Sequence, residues 1–494
     1  MFYQGKKNLL EKKFSIKDLI FFGLGNILGP QIFLLLAGLV AITGVTGIFS
    51  LLSCMIICFL IAFVYLELSM SMPTTGFVID SVTDAYGEFV SFIVAWSQLF
   101  GNIAFVSICA IGFGMFLGKP LVGAVLIIVV VAIMSLQGIT ELGRVQSLLL
   151  YAILLFLALI IGFNMPFVAV PSFDGIFGGI GSYTKVLFGI GFFFLAFTGF
   201  EDVTAYAAET KSIKRLPLAI FSVIGIISLL FILIYFVIIG FLGSGSEQLF
   251  SNPLIFLSER IFGKHAGIVF IIIGLLASFS SLIGSLKTCS RNVFSMSEKG
   301  FLPAQFAKLN KKGVPAYAVF FASVISVIII FSGTLELIVY LSNFLYFFIT
   351  IILAATLIKL REKRKLLARP YNAPLFPYLQ YLTICVLIML MFFLDLKSIA
   401  FGVIWLFFGF VIYMLRIVGE HRLKFALFGA NMLTTFILAI IIYIFEEVFP
   451  EAFSAAKSLL IISLLLFLVF TFLLGLEAFN LSRKGNVHNQ AANK

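Results

Sequence analysis

Charge is scarce in this chain of 494 residues: Asp, Glu, Lys and Arg supply 11 % of it, against about 25 % in an ordinary soluble domain. Histidine is rarer still. His265, His421 and His488 fall in loops or the tail, so no histidine metal site or acyl-transfer centre is legible. The five cysteines sit singly in apolar runs. Cys54 and Cys58 are one helical turn apart but lack histidine or acidic company, so they read as small buried hydrophobes. There is no CxxC pair and no disulfide framework. A P-loop is absent too, because Gly114 to Gly118-Lys119-Pro120 has the wrong spacing and no Ser or Thr. The lysine-rich start carries no short apolar core with a small-residue cleavage site, so no removable signal peptide is expected. Enzyme chemistry, a resident metal and a cofactor are all unexpected.

What the chain does have is apolar length. It is 62 % hydrophobic with mean hydropathy +1.18, and about fourteen segments approach the ~20 apolar residues that span a bilayer. They fall near 17–40, 46–67, 89–112, 121–137, 147–165, 186–208, 218–241, 266–290, 315–331, 335–358, 376–395, 399–418, 425–445 and 455–478. A polar loop is expected through Asp80, Asp84 and Glu88. The formal charge of +11 could suggest nucleic acid, but its placement is topological. With alternating spans and a cytoplasmic N-terminus, only Lys119, Lys185, Arg260, Lys264, Lys397 and Lys457 fall outside, and the remaining Lys and Arg fall inside. The expected plan is a cytoplasmic arm (1–16), a ten-helix core (17–375), four further spans (376–478) and a cytoplasmic tail (479–494). The last four spans carry few interior polar residues and suit packing or homo-oligomer contacts.

Two segments break the pattern. The first span holds Gly23, Gly25, Asn26, Gly29, Pro30 and Gln31 at mid-bilayer depth. Glycine costs a helix about 1 kcal/mol relative to alanine and an internal proline about 3. Backbone freed in this way survives at membrane depth only beside a cavity or packed in protein, which leaves a broken solute-binding helix or a glycine-rich packing face. The sixth span repeats the anomaly, with Gly189, Gly191 and then Phe194-Leu195-Ala196-Phe197-Thr198-Gly199-Phe200-Glu201-Asp202. Interrupted helices at corresponding positions of two five-span halves point to a transporter site, although the halves share no evident pairwise identity.

Several runs resemble the amino acid–polyamine–organocation permease superfamily over most of residues 15–380. They include Gly25-Asn26-Ile27-Leu28-Gly29 with Ile32-Phe33; Tyr65-Leu66-Glu67-Leu68 followed by Pro73, Gly76, Ala85-Tyr86-Gly87 and Trp96; and Gly138 through Glu141 to Gln146. Phe197-Thr198-Gly199-Phe200-Glu201 followed by Ala208-Glu209-Thr210-Lys211 and Arg215-Leu216-Pro217 is the most specific. Ser290-Arg291, Met296, Gly300 to Pro303 and Pro315, then Arg369-Pro370-Tyr371-Asn372-Ala373-Pro374, complete the series. Gly101-Asn102-Ile103-Ala104 is similar to the third helix of arginine/agmatine antiporters. The resemblance implies a leucine-transporter-type core of five plus five inverted helices, alternating access, and amino acids or related amines as substrates. It also implies that the substrate carboxylate meets backbone N–H groups of the first helix, while the amine meets carbonyls of both broken helices. Pro30 departs from the pattern by removing one such donor. Gln31 offers a side-chain amide in its place.

The expected substrate-binding set is therefore Gly25, Asn26, Ile27, Gly29, Pro30, Gln31, Asn102, Leu195, Phe197, Thr198 and Gly199, with Phe194 and Phe200 as gates. Aromatic packing and an interhelical hydrogen bond are the plain alternatives for the phenylalanines and Asn102. Glu201 is the candidate coupling carboxylate, because an ionisable group at membrane depth is usually functional; a carboxylate satisfied by amides at a new helix start is its alternative. Asp202 reads as a cap-like partner. Some proton-coupled relatives carry lysine at the position of Arg144. Guanidinium stays protonated, so Arg144 could supply only a permanent charge, or merely anchor a loop. Lys287 and Arg291 are expected to snorkel at a membrane edge. The reading is a secondary carrier in the cell membrane, coupled to protons or working by exchange. Its rivals are a sodium symporter of the same fold, a non-transporting sensor and, least supported, a membrane enzyme.

Overall fold

The computed structural model describes residues 14–74, 76–137, 139–169, 180–241, 253–332, 335–394 and 396–416, with 434, 435 and 437. Helices dominate the described residues; an isolated bridge between Phe14 and Thr210 is the only extended pairing among them. The helices are α1 (Ile16–Ile27), α2 (Gln31–Thr43), α3 (Gly47–Ser71), α4 (Phe77–Tyr86), α5 (Glu88–Phe116), α6 (Pro120–Ser135), α7 (Ile139–Asn164) and α8 (Ile180–Phe193). There follow α9 (Leu216–Gly240), α10 (Pro253–Phe262), α11 (Ala266–Glu298), α12 (Ala316–Ser332), α13 (Leu335–Lys363), α14 (Tyr378–Met391) and α15 (Leu396–Arg416). Eight helical stretches among the described residues are long and apolar enough to cross a membrane. Pro120–Ser135, Ala316–Phe331 and Tyr378–Met391 are apolar but shorter. The expected spans 425–445 and 455–478 lie outside the described residues.

Local chemistry explains the ends that matter. Ser15 caps α1 in a reciprocal box: its hydroxyl accepts from Asp18 N–H at 3.3 Å, and the Asp18 carboxylate accepts from Ser15 N–H at 2.8 Å. At the other end, Pro30 disfavours helical geometry at Gly29, so α1 stops at Ile27 and α2 starts afresh at Gln31. The sixth span breaks differently. α8 gives way to a 3-10 turn at Phe194–Phe197, then a bend, then a second 3-10 stretch at Glu201–Glu209. The fixed point of that bend is Gly199, whose φ of +117° no side-chain-bearing residue adopts easily.

One sequence expectation is corrected outright. The stretch through Asp80 and Asp84 is not a loop but α4, an amphipathic helix that buries Phe77, Val78, Ile79 and Val82. Asp80 is buried and Asp84 half-buried, and both pair with cations at the ends of neighbouring helices: Asp80 with Lys299, and Asp84 with Lys363 and with Arg364 at 2.9 Å. Burial alone would raise the Asp84 carboxyl, but the hydrogen bond from Arg364 and the charges of Lys363 and Arg364 outweigh it and hold it below its ordinary value. The same end of the bundle holds Glu67, fully buried, which takes both arms of Arg361 at 2.7 and 2.6 Å and the Ala373 N–H at 2.7 Å. This fork ties the basic segment after α13 onto α3. Lys287 and Arg291 do not snorkel either: Lys287 is buried, and Arg291 pairs with Glu209 and lies 4.2 Å from the centre of the Tyr206 ring. At the opposite flank, α15 docks on α5 through stacked Trp96 and Trp405, 4.6 Å apart, each indole N–H donating to the other residue's carbonyl.

Candidate functional site

The two breaks meet at mid-bundle. Asn26, in the last turn of α1, donates to Asp202 at 3.0 Å and accepts from the Gln146 amide of α7 at 3.1 Å. One asparagine thus joins the first broken helix, the second broken helix and α7. Space for it exists only because α11 presents Gly284 there; a β-carbon on that residue would collide with the Asn26 side chain. One turn earlier on α11, Ser281 donates to the carbonyls of Gly25 at 3.2 Å and Asn26 at 2.7 Å, and Ser280 to Gly25 at 3.3 Å. The carbonyls loosened by the break are therefore held by hydroxyls.

At the break itself, Gly29 N–H turns back to the Ile27 carbonyl at 2.8 Å. Pro30 has no N–H and packs against Gly112 of α5. The first turn of α2 then leaves the N–H groups of Gln31 and Ile32 without acceptors inside their own helix. Gln31 is 1 % exposed. Its amide reaches only the Cys109 sulfur, at 3.8 Å, and its Oε1 has no partner.

Beside the second break lies a cavity of about 60 Å³, room for a few waters. Leu195, Thr198, Gly199, Glu201 and Asp202 form one wall, and Asn102 with Gln98 of α5 another. Tyr65, Ser285, Thr288 and Tyr346 complete its polar lining. Glu201 accepts from Gly199 N–H at 2.9 Å, so one carboxylate oxygen caps its own bend while the group still faces the cavity. Asn102 Nδ2 is buried on these walls with no hydrogen-bond partner among the described residues, while Thr288 Oγ1 and Tyr346 OH lie beside the Asp202 and Glu201 carboxylates without a well-aligned bond to them. Buried polar groups are nearly always satisfied. Their concentration around one cavity marks a place where a polar occupant belongs.

The structure places the expected residues unevenly. Asn102, Leu195, Thr198, Gly199 and Glu201 line the cavity. Gly25, Ile27, Gly29, Pro30 and Gln31 form the adjoining break, with Ile27 against Gly199. Phe197 instead packs edge-on to Phe193 and Phe231, and Phe200 is buried. Phe194 reaches the site only through its ring contact with Tyr346. Arg144 falls within α7, but its side chain lies outside the described residues, as does that of Glu336. Tyr65, Gln98, Gln146, Ser285, Thr288 and Tyr346 were not singled out from the sequence as site residues. A signal existed for part of this set: Ser281, Ser285, Thr288, Asn292 and Ser295 recur at helical spacing along an apolar helix, a polar stripe on one face. Among the described residues no cluster of His, Cys, Asp and Glu is arranged to hold a metal.

Comparison with known proteins gives this geometry a context. The family described as amino acid permease matches residues 14–415. The chain is 24 % identical over 444 residues to the branched-chain amino acid permease of Bacillus subtilis (strain 168), covering 83 % of this chain and 94 % of that protein. It is 26 % identical over 450 residues to a methylthioribose transporter of the same organism, covering 83 % and 95 %. With the gamma-aminobutyric acid permease of that organism it shares 26 % over 426 residues, covering 78 % and 89 %. A helical, multi-pass architecture among the described residues, a polar cavity beside the second interrupted helix and this match lead to one assignment: the chain belongs to the amino acid permease family, as a membrane transporter and not an enzyme.

Proposed function

We propose that the protein is a secondary active transporter of amino acids or related amines in the cell membrane, working by alternating access through a five-plus-five inverted-repeat core. In this reading α1–α7 and α8–α13 are the two halves, each opening on a broken helix. Residues 17–375 form the transport core, and 376–478 bring the total to about fourteen spans and serve packing or oligomer contacts. Both termini are cytoplasmic, and the ion-paired end of the bundle that carries Lys299, Arg361 and Arg364 faces the cytoplasm, in keeping with the positive-inside rule.

One observation carries the proposal: two carboxylates, Glu201 and Asp202, face one small cavity together with Thr288, Tyr346 and the unsatisfied amide of Asn102. Among the described residues no lysine or arginine lines that cavity. Acids without a basic partner in a dry site call for an ammonium or a proton, so the substrate amine binds there and Glu201 carries the coupling proton. The substrate carboxylate meets the N–H groups of Gln31 and Ile32 at the positive end of α2. Charge-assisted hydrogen bonds of about 1.5–3 kcal/mol each make two or three sufficient for micromolar to millimolar binding. Names of relatives that include branched-chain amino acid and gamma-aminobutyric acid permeases agree with such a substrate class. Arg144, permanently charged, makes transport sodium-independent.

Uptake into proteoliposomes tests the reading, using labelled leucine, gamma-aminobutyrate and putrescine, with sodium or potassium outside and with or without preloaded solute. Accumulation or exchange of at least one solute, equal in the two salts, is expected. Binding without uptake would identify a sensor instead, and stimulation by sodium would remove the assignment made to Arg144.

A further inference from the structure

A second chamber of about 40 Å³ continues from the first toward the ion-paired end of the bundle. The two share Tyr65, Gln98, Asn102, Glu201, Asp202 and Thr288 as a common wall, so the carboxylates stand at the passage between them. Beyond that passage the chemistry reverses. Asn292 and Ser295, four and seven residues past Thr288 on α11, lie roughly 6 and 10 Å further along the helix axis. They are 8 % and 4 % exposed, and Asn292 Nδ2 and Ser295 Oγ have no hydrogen-bond partner. Arg291 reaches the same chamber: one guanidinium nitrogen holds Glu209, and its Nη1 is buried and unpaired. Past them the way is shut by the Arg291–Glu209 pair and by Tyr206, onto which the rings of Phe14 and Phe22 pack at 5.2 and 4.8 Å.

We infer that this inner chamber is a separate binding subsite for the free carboxylate of a substrate in transit. Its three unpaired groups all donate: an amide N–H, a hydroxyl and a guanidinium N–H. The amide N–H and the guanidinium N–H can only donate, and with the guanidinium charge beside them they favour a carboxylate over an ammonium at this end. The acids of the passage and the donors beyond it therefore select opposite ends of an amino acid. The inference deepens the function proposed above and rests on it for direction, because the inner chamber is the exit side only if the ion-paired end is cytoplasmic. Occupancy by a carboxylate does not depend on that direction.

The test separates the two chambers with half-molecules of an amino acid. The full-length protein, purified in detergent, is titrated with isovalerate, a carboxylate without an amine, and with isoamylamine, an amine without a carboxylate. Thermal stability is read against sodium chloride of equal ionic strength. Both probes should stabilise the wild type. Asn292→Asp, which keeps shape but adds a repelling oxygen, and Ser295→Ala should each weaken the isovalerate response about tenfold or more, while isoamylamine stabilises as before. Glu201→Gln should do the reverse. If Asn292→Asp does not fold, Ser295→Ala carries the test. An isovalerate response that is absent in the wild type, or unchanged in both α11 variants, would overturn the inner subsite. An isoamylamine response untouched by Glu201→Gln would instead overturn the ammonium site of the central cavity, leaving the carboxylate subsite supported by its own arm.

Discussion

The two interrupted helices solve the same problem in opposite ways. Between α1 and α2 the chain breaks over three residues, Leu28 to Pro30, and the α1 side of the break is closely packed. Serines of α11 hold its carbonyls, Asn26 latches sideways to two other elements, and Gly29 has no room for a side chain against Ser281 and Gln31. Between α8 and the Glu201–Glu209 stretch the backbone is wound as 3-10 on both sides of a positive-φ glycine, and its two acids line the cavity. A 3-10 stretch of nine residues is unusually long, because the hydrogen-bond geometry is poorer than in an α-helix. The first break is a packed clamp. The second is a loosely wound element with its charges toward the cavity, better suited to re-form when a solute arrives.

The largest expected effect comes from filling the clamp. Gly29→Ala places a β-carbon 2.8 Å from the Ser281 β-carbon and closer still to Gln31. Overpacking of this kind costs about 1–3 kcal/mol, and transport should be nearly abolished. Gly29→Ala combined with Ser281→Gly should recover much of it, measured by uptake and melting temperature together. Wild-type uptake in the single variant would show that the first break is as open as the second.

Next comes the charge of the second break. Glu201→Gln preserves shape and the bond from Gly199 but removes titration, so solute exchange should persist while pH-driven accumulation falls tenfold or more, on the order of 1.4 kcal/mol of lost driving force. An unaltered pH profile would make Glu201 a backbone cap and nothing else.

A smaller effect measures how far the breaks move as one. Asn26→Ala and Asp202→Ala each remove the hydrogen bond between them, worth about 1.5–3 kcal/mol when one partner is charged. In a double-mutant cycle on thermal stability the pair should couple by about 0.5–3 kcal/mol. Strict additivity would mean that the clamp and the loose element move independently.

The smallest expectation lies at the ion-paired end. Because the Asp84 carboxyl is held below its ordinary value, its contribution to stability is complete above the unfolded-state value of about 4 and fades as pH falls through the folded one. Asp84→Asn should therefore lower the melting temperature slightly at neutral pH, by the equivalent of under about 1 kcal/mol for so exposed a pair. The two proteins should converge in acid. A gap that widens on acidification would contradict the pairing with Arg364.

The sequence made both breaks legible because proline and glycine are rare where leucine is the default, and because Glu201 and Asp202 stand out in an apolar run. It did not make the walls legible. Ser281, Ser285 and Thr288 are small residues of the kind that line any helix-packing face, so their alignment toward Gly25, Asn26 and the cavity needed coordinates. Gln146 meets Asn26 across 120 residues of chain, a separation no local pattern encodes. Asp80 and Asp84 suggested a loop because charge was weighed above period. In α4 Ser81 and Val82 between them are buried, and the acids answer Lys299 just past α11 and Lys363 and Arg364 at the end of α13.

Glu67 sets a condition on how the protein is made. Its carboxylate is buried in α3, while its fork partner, Arg361, lies 294 residues later. At about 5–20 residues per second, synthesis takes roughly 15–60 s to bridge that gap. For that interval α3 carries an acid with no native counter-charge, and an unpaired charge in hydrocarbon is strongly disfavoured. The third helix therefore cannot take its final place when it leaves the ribosome. It must wait, with its glutamate in water or sheltered by the insertion machinery, until α13 and the basic segment behind it arrive. Completion of the helix bundle is thereby tied to the arrival of one arginine late in translation, and a chain cut short before Arg361 would stay unfinished near its beginning.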